Sequence, residues 1–194
     1  MQIVIEKVMN GKLIIFSAPS GTGKTTIIRH LLASGLPLEF SISATSRAIR
    51  DGEKEGKDYY FLPLDVFKKK IAENSFLEWE EVYPNQFYGT LLSEIDRIWA
   101  KGSHVLFDVD VVGALNIKKK YPQQSLSIFL MPPSLEALKQ RLLKRGTETE
   151  ESFHKRKDKA EYELSFANQF DRIIINDDLK ETQQATYKIV NDFL

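Results

Sequence analysis

The chain has 194 residues, enough for one large domain with a sizeable core. Its 27 basic and 27 acidic residues cancel, which argues against a broad nucleic-acid face. It contains no cysteine, so disulfides, thiolate metal sites and a cysteine nucleophile are excluded. Met1–Lys7 is too short and charged for a secretory signal, and no apolar run approaches a membrane-spanning length. A soluble cytoplasmic protein is expected, with no membrane or nucleic-acid partner.

The first apolar run, Leu13–Phe16, reads as a buried strand. It leads into Ser17-Ala-Pro-Ser-Gly-Thr-Gly-Lys-Thr-Thr26 and then into Ile27-Ile-Arg-His-Leu-Leu32, which reads as a helix. Strand, glycine loop and helix in that order are the context a phosphate-binding loop requires. Its backbone N–H groups converge on phosphate oxygens, and the helix N-terminus adds a favourable dipole. Lys24 is expected to reach the β and γ phosphates of a nucleoside triphosphate, and the Thr25 hydroxyl to ligate Mg²⁺. The pattern G-x-x-x-x-G-K-[ST] has Ala18 at its first glycine position. That is the smallest possible substitution, so the loop is expected to survive.

A strand at Phe40–Ser43 follows, and after Ala44 the texture becomes polar and aromatic-rich as far as Lys101. Short strands are expected at Tyr59–Leu62 and Phe76–Glu80, with an amphipathic helix over about Asp65–Asn74 between them. Arg47 and Arg50 stand three residues apart, shortly before Tyr59. Paired guanidinium forks suit phosphate oxygens, and tyrosine hydroxyls can complete the cage. Either arginine alone would more simply be a surface residue.

Core strands resume at Val105–Phe107, Ser127–Met131 and Arg172–Ile175. Asp108 and Asp110 alternate with Val109 at the end of the first of these, so they can face the same side. From Ser134 the spacing predicts a helix, with Leu135, Leu138 and Leu142 on one face and Arg141 and Arg145 among its polar positions. Gly146 stops it. Thr147 and Glu150 have capping-box spacing, so a second helix is expected to run to about Asn168. The lysine runs Lys68–Lys70 and Lys118–Lys120 read as solvated helix faces, and His30, His104 and His154 lack metal-ligand spacing. The overall expectation is an α/β fold, a parallel sheet flanked by helices with an inserted lobe and a two-helix lid.

Several segments together resemble the guanylate kinase family over nearly the whole chain. They are 17–25, 43–50, Gly56-Lys-Asp-Tyr-Tyr-Phe61, Phe76-Leu-Glu-Trp79, Phe87-Tyr-Gly-Thr90, Phe107-Asp-Val-Asp110, Arg145–Glu151 and Ile175-Asn-Asp-Asp178. The resemblance implies one domain of the P-loop NTPase type spanning 1–194. Its core would be 10–43, 102–134 and 166–194, its GMP-binding lobe 44–101 and its lid 135–165. ATP would contact Ala18, Pro19, Ser20, Gly21, Thr22, Gly23, Lys24, Thr25, Thr26 and Asn176. Arg47, Arg50, Tyr59 and Tyr88 would hold the GMP phosphate, while Glu78, Asp110, Ser43 and Thr90 would read guanine. Lys24, Arg47, Arg141, Arg145 and Arg156 would act on the transferring group. Mg²⁺ would be held by Thr25 and, through water, by Asp108. A second departure is Val112, where the family usually has glutamine.

Guanine presents N1–H and a 2-amino group as donors, and a carboxylate is an acceptor-only fork that fits that edge. Two other readings stay open at this point. A relative phosphorylating ribose bisphosphate would share the phosphate loop, but Glu78 and Tyr88-Gly89-Thr90 favour a guanine site. A non-catalytic guanylate-kinase-like protein-binding module would lack the intact loop that Lys24 and Thr25 supply. Monomer and homodimer are both compatible with the sequence.

Overall fold

The computed structural model describes residues 11–143 and 150–194, with side chains for 11–141 and 156–194. The expected Arg145, Gly146 and Thr147 lie outside the described residues, as do the side chains of Leu142, Glu150 and His154.

Five parallel strands form the central sheet. They are β1 (Leu13–Ser17), β2 (Leu38–Phe40), β7 (His104–Asp108), β8 (Ser125–Met131) and β9 (Arg172–Ile175), in the spatial order β2-β7-β1-β8-β9. β1 is buried along its whole length because helices cover both faces. One layer is built around Ile14, Phe16, Ile27, Leu31 and Val190; the other is built around Leu13, Ile15, Ile98, Phe107 and Phe129. Helices α1 (Lys24–Ala33) and α7 (Leu179–Phe193) pack in the first layer. Helices α3 (Leu92–Ala100) and α4 (Val111–Lys120) pack in the second.

A second sheet stands apart, in the order β4-β3-β6-β5. It comprises β3 (Ala44–Thr45), β4 (Tyr60–Phe61), β5 (Phe76–Tyr83) and β6 (Gln86–Leu91). Helix α2 (Leu64–Ala72) closes one side, where Phe67 stacks on Phe76 with centroids 4.4 Å apart. Ala44, Phe67, Phe76, Phe87 and Leu91 make a small core separate from the two main layers. Helices α5 (Leu135–Leu143) and α6 (Glu150–Leu164) follow β8, and among the described residues Leu138 and Ala160 pair in an apolar contact of their own.

One expected strand is displaced. The strand read as Phe40–Ser43 lies at Leu38–Phe40, where it pairs with His104, Val105 and Leu106 of β7. Ser41 N still donates to Leu106 O at 2.9 Å, but Ile42 N is taken by the Glu94 carboxylate at 2.9 Å. The ladder therefore ends as the chain turns toward the second sheet, and Ser43 belongs to the crossing. The helix expected to reach Asn168 stops at Leu164, followed by a 3₁₀ turn at Ala167–Gln169.

Candidate active site

The glycine loop joins β1 to α1. Gly21 and Gly23 both have φ of 92°, a left-handed conformation that L side chains rarely adopt. A Cβ on Gly23 would also stand 2.6 Å from Asn176 Nδ2. Asn176 is buried, and its Nδ2 donates to Thr22 O at 2.6 Å, bolting the loop to the end of β9. Thr22 turns its own hydroxyl inward to donate to Pro19 O. No side chain caps α1 at Gly23, and Ser20, Thr25 and Thr26 are exposed beside its N-terminus.

Lys24 leans across the loop. Its ammonium forms an ion pair with Asp108 at the end of β7 and lies 3.5 Å from Val109 O. Asp108 sits level with Phe16 of β1 in the parallel register, which is why the two groups meet.

Two residues beyond Asp108, Asp110 lines a cleft of about 260 Å³ between the sheets, together with Ser43, Tyr59, Glu78 and Tyr88. Asp110 also caps α4, accepting from Gly113 N at 2.7 Å. Glu78 Oε1 accepts from the Thr90 hydroxyl at 2.7 Å. Burial raises the Glu78 carboxyl to about 7, reinforced by the Asp110 charge and opposed by the Thr90 hydrogen bond and Lys120.

Arg47 is held on every side. NH1 and NH2 donate to Glu53 at 2.7 and 2.6 Å, Nε donates to the Tyr88 hydroxyl at 3.1 Å, and NH1 also reaches Ala48 O at 2.9 Å. Its guanidinium lies 5.0 Å from the centre of the Tyr59 ring. Arg50 is exposed, its N–H donating to Glu53 Oε2 at 2.9 Å. Arg141 NH2 donates to Asn176 O at 3.0 Å, and Arg156 is exposed on α6. The fold thus gathers Ser43, Tyr59, Glu78, Tyr88, Asp108 and Asp110 around one cleft. Arg50 and Arg156 are not among its lining residues.

Two acidic residues escaped the sequence reading. Glu53 fills the Arg47 fork, and its carboxyl is held at about 2 by that hydrogen bond. Glu80 lines the cleft within hydrogen-bond reach of Asp110, which, with partial burial, raises its carboxyl to about 7. The period-2 rule carried the signal for Glu80, since it lies two residues past Glu78 on the same strand. Nothing local marks Glu53.

The chain is similar to guanylate kinases over nearly its whole length. The guanylate kinase family model matches residues 10–193. A guanylate kinase of Bacteroides fragilis is 54% identical over 188 residues, covering 97% of this chain and 92% of that protein. One of Porphyromonas gingivalis is 51% identical, covering 94% and 98%. The crystal structure of guanylate kinase from Anaplasma phagocytophilum superposes with a TM-score of 0.73 at 31% identity, covering 94% of this chain and 85% of that one. The chain belongs to the guanylate kinase family.

Two positions depart from the guanylate kinase pattern. Ala18 is absent from the residues with positive φ, and its methyl is buried with Ile14, Phe16 and Ile28. Ala18→Gly is therefore expected to keep turnover within about twofold while lowering stability by about 1 kcal/mol, through backbone freedom and a lost buried methyl. Thermal melts and turnover check this; a large gain in turnover would mean that Ala18 strains the loop. Val112 is 38% exposed in the first turn of α4, where it lines a small cleft with Tyr162 and Glu163 of α6.

Proposed function

We propose that the chain transfers the γ-phosphoryl group of ATP to GMP, giving ADP and GDP. The observation that carries this is the sharing of one strand end. Asp108 pairs with Lys24 of the glycine loop, and Asp110 lines the acidic cleft with Glu78. Donor phosphates on the loop and a guanine base in the cleft would then bring the two phosphates together between them.

In this reading residues 10–43, 102–134 and 166–194 are the core, 44–101 the GMP-binding lobe and 135–165 the lid. The GMP phosphate would meet Arg47, Arg50, Tyr59 and Tyr88, while Glu78, Asp110, Ser43 and Thr90 read the base. Asn176 supports the ATP loop from below through Thr22 O. Among the described residues the lid helices share a small apolar contact, Leu138 with Ala160, which suits elements that move. Arg141, Arg145 and Arg156 would reach the transferring group only when those helices close.

The acceptor is a phosphate monoester with a second pKa of about 6, so it is ionised near neutrality and needs no general base. Catalysis then rests on alignment and charge stabilisation by Lys24 and the arginines, with water excluded on closure. The exposed Thr25 hydroxyl and the Asp108 carboxylate are hard oxygen donors beside the loop, a set that fits Mg²⁺. Thr25 would hold the ion directly and Asp108 through water. Bound there, it would neutralise charge on the phosphate oxygens.

No described helix is long and apolar enough to cross a membrane, and a cytoplasmic monomer or homodimer is our reading. A turnover assay offering ATP with GMP, and separately with a ribose bisphosphate, is the direct test. ADP formed only with GMP supports the proposal. Turnover with the sugar alone, or with neither, would replace it.

The Glu78 carboxyl, raised to about 7, adds a pH dependence. A guanine edge needs the ionised acceptor, so binding must release the proton Glu78 carries below that pH. Guanosine, which has no phosphate to titrate in this range, is expected to bind more tightly as pH rises. The gain should approach tenfold per unit below about 7 and level off above it. The same raised value makes Glu78 favour folding below the unfolded value near 4.5, a contribution lost as pH rises through about 7. Calorimetric titration from pH 5.5 to 8 measures the binding trend, and a flat profile would mean that Glu78 does not meet the base.

A further inference from the structure

The chain crosses between the two sheets twice, and a side chain two residues past the second crossing bonds to the first. Outward, it runs through residues 41–43; it returns where β6 meets α3 at Leu91 and Leu92. Glu94 lies in the first turn of α3 and is only 2% exposed. Its Oε1 accepts from Ile42 N at 2.9 Å, on the outward crossing. Its Oε2 accepts from the Tyr60 hydroxyl at 2.9 Å, on β4 of the second sheet.

Arg97, one turn further along α3, donates to both carboxylate oxygens through Nε at 2.8 Å and NH2 at 2.7 Å. Its remaining NH1 pairs with Glu39 of β2, which Lys101 Nζ also grips at 2.9 and 3.0 Å. Four hydrogen bonds use the whole acceptor capacity of one carboxylate. Burial pushes the Glu94 carboxyl up, but its hydrogen bonds from Arg97, Ile42 and Tyr60 outweigh that and hold it below the ordinary value. It is a buried charge with every lone pair satisfied, so removing one partner is costly.

The clamp lies next in sequence to the cleft without entering it. Ile42 precedes Ser43, and Tyr60 follows Tyr59; Ser43 and Tyr59 line the cleft, whereas Glu94 does not. Tyr60 of β4 reaches Glu94, while Tyr59, the residue before that strand, meets Tyr88 with ring centroids 5.9 Å apart. These hydrogen bonds tie one backbone N–H of the outward crossing and one hydroxyl of the second sheet to α3, beside the apolar contact that Leu77 of β5 makes with the α3 and α4 layer.

We propose that Glu94, braced by Arg97, is the hinge clamp of this enzyme, a positioning residue that sets where the second sheet holds Ser43 and Tyr59 against the cleft. Its kinetic test rests on the GMP reading above; its distance test does not. Glu94→Gln keeps the size but replaces an acceptor with a donor facing Arg97, Ile42 N–H or Tyr60. KM for GMP is expected to rise about tenfold with KM for ATP within about twofold, the loss of a charged hydrogen bond.

The absence of cysteine permits a clean pair of labels, at Lys57→Cys beside β4 and Lys180→Cys on α7. Without ligands, the label distance distribution is expected to broaden in Glu94→Gln. Tyr60→Phe, which removes only the arm to the second sheet, should give a smaller change of the same kind and keeps the test available if Glu94→Gln does not fold. A distribution unchanged in both variants would overturn the clamp whatever the substrate proves to be. Equal loss toward ATP and GMP would overturn it as well, by reducing Glu94 to general support of the fold.

Discussion

Lys24→Ala is expected to lower kcat by roughly 10²–10³-fold, the usual loss when one preorganised charge at the reacting centre is removed. The physical basis is position. Lys24 is the first residue of α1, and its ammonium pairs with the Asp108 carboxylate at the end of β7. Phosphate oxygens arriving at the loop would compete with Asp108 for it, so Lys24 exchanges one anion for another without a large desolvation cost. Stability should change little, because the pair is partly exposed, at 18% for Lys24 and 27% for Asp108. Affinity for GMP is expected to stay nearly intact, since Lys24 is not among the residues that line the acidic cleft. Steady-state turnover, paired with calorimetric binding of GMP, separates the two effects. A variant with wild-type kcat would mean that the loop does not hold the reacting phosphates.

The central sheet was legible because fully buried parallel strands leave continuous apolar runs such as Leu13–Phe16. The glycine loop was legible for a different reason: its two left-handed positions admit little but glycine. The second sheet was harder to read. β3 is only two residues long, and β6 contains Gly89, which sequence rules count against a strand. The structure explains that glycine, because a Cβ there would lie 2.6 Å from Glu78 O. The β5–β6 hairpin turns at Pro84-Asn85, with Asn85 at φ of 61°, and lacks the Asn-Gly or Asp-Gly pair that announces such turns. The acidic partners were invisible for a more general reason. Glu53 and Glu94 act on Arg47 and on Ile42 and Tyr60, and the second of these pairings joins elements up to 52 residues apart. Spacing along a strand or helix carries no trace of such a contact.

The base preference is expected to be the other large effect, and it rests on Glu78 and Asp110. Glu78 Oε1 accepts from Thr90, and its Oε2 lies close to the start of α4, 3.1 Å from where a Cβ on Gly113 would be. A glycine at 113 therefore leaves room for the carboxylate beside Asp110. A guanine edge set against the two carboxylates gives its N1–H and 2-amino donors acceptors. Adenine has neither donor, so the carboxylates would be desolvated and poorly paired. Discrimination against AMP of roughly 10⁴-fold in kcat/KM is expected, about 5.5 kcal/mol. IMP keeps N1–H and loses the 2-amino group, so it should fall between them. Glu78→Gln turns an acceptor-only group into one that is half donor, and should narrow the GMP-over-AMP ratio while leaving KM for ATP unchanged. It should also flatten the rise of guanosine affinity toward pH 7, because the amide has no proton to release. The measurement is kcat/KM for GMP, IMP and AMP in wild type and variant. An equal loss on all three bases would mean that Glu78 supports β5 and β6 through Thr90 and leaves the reading of the base to other groups.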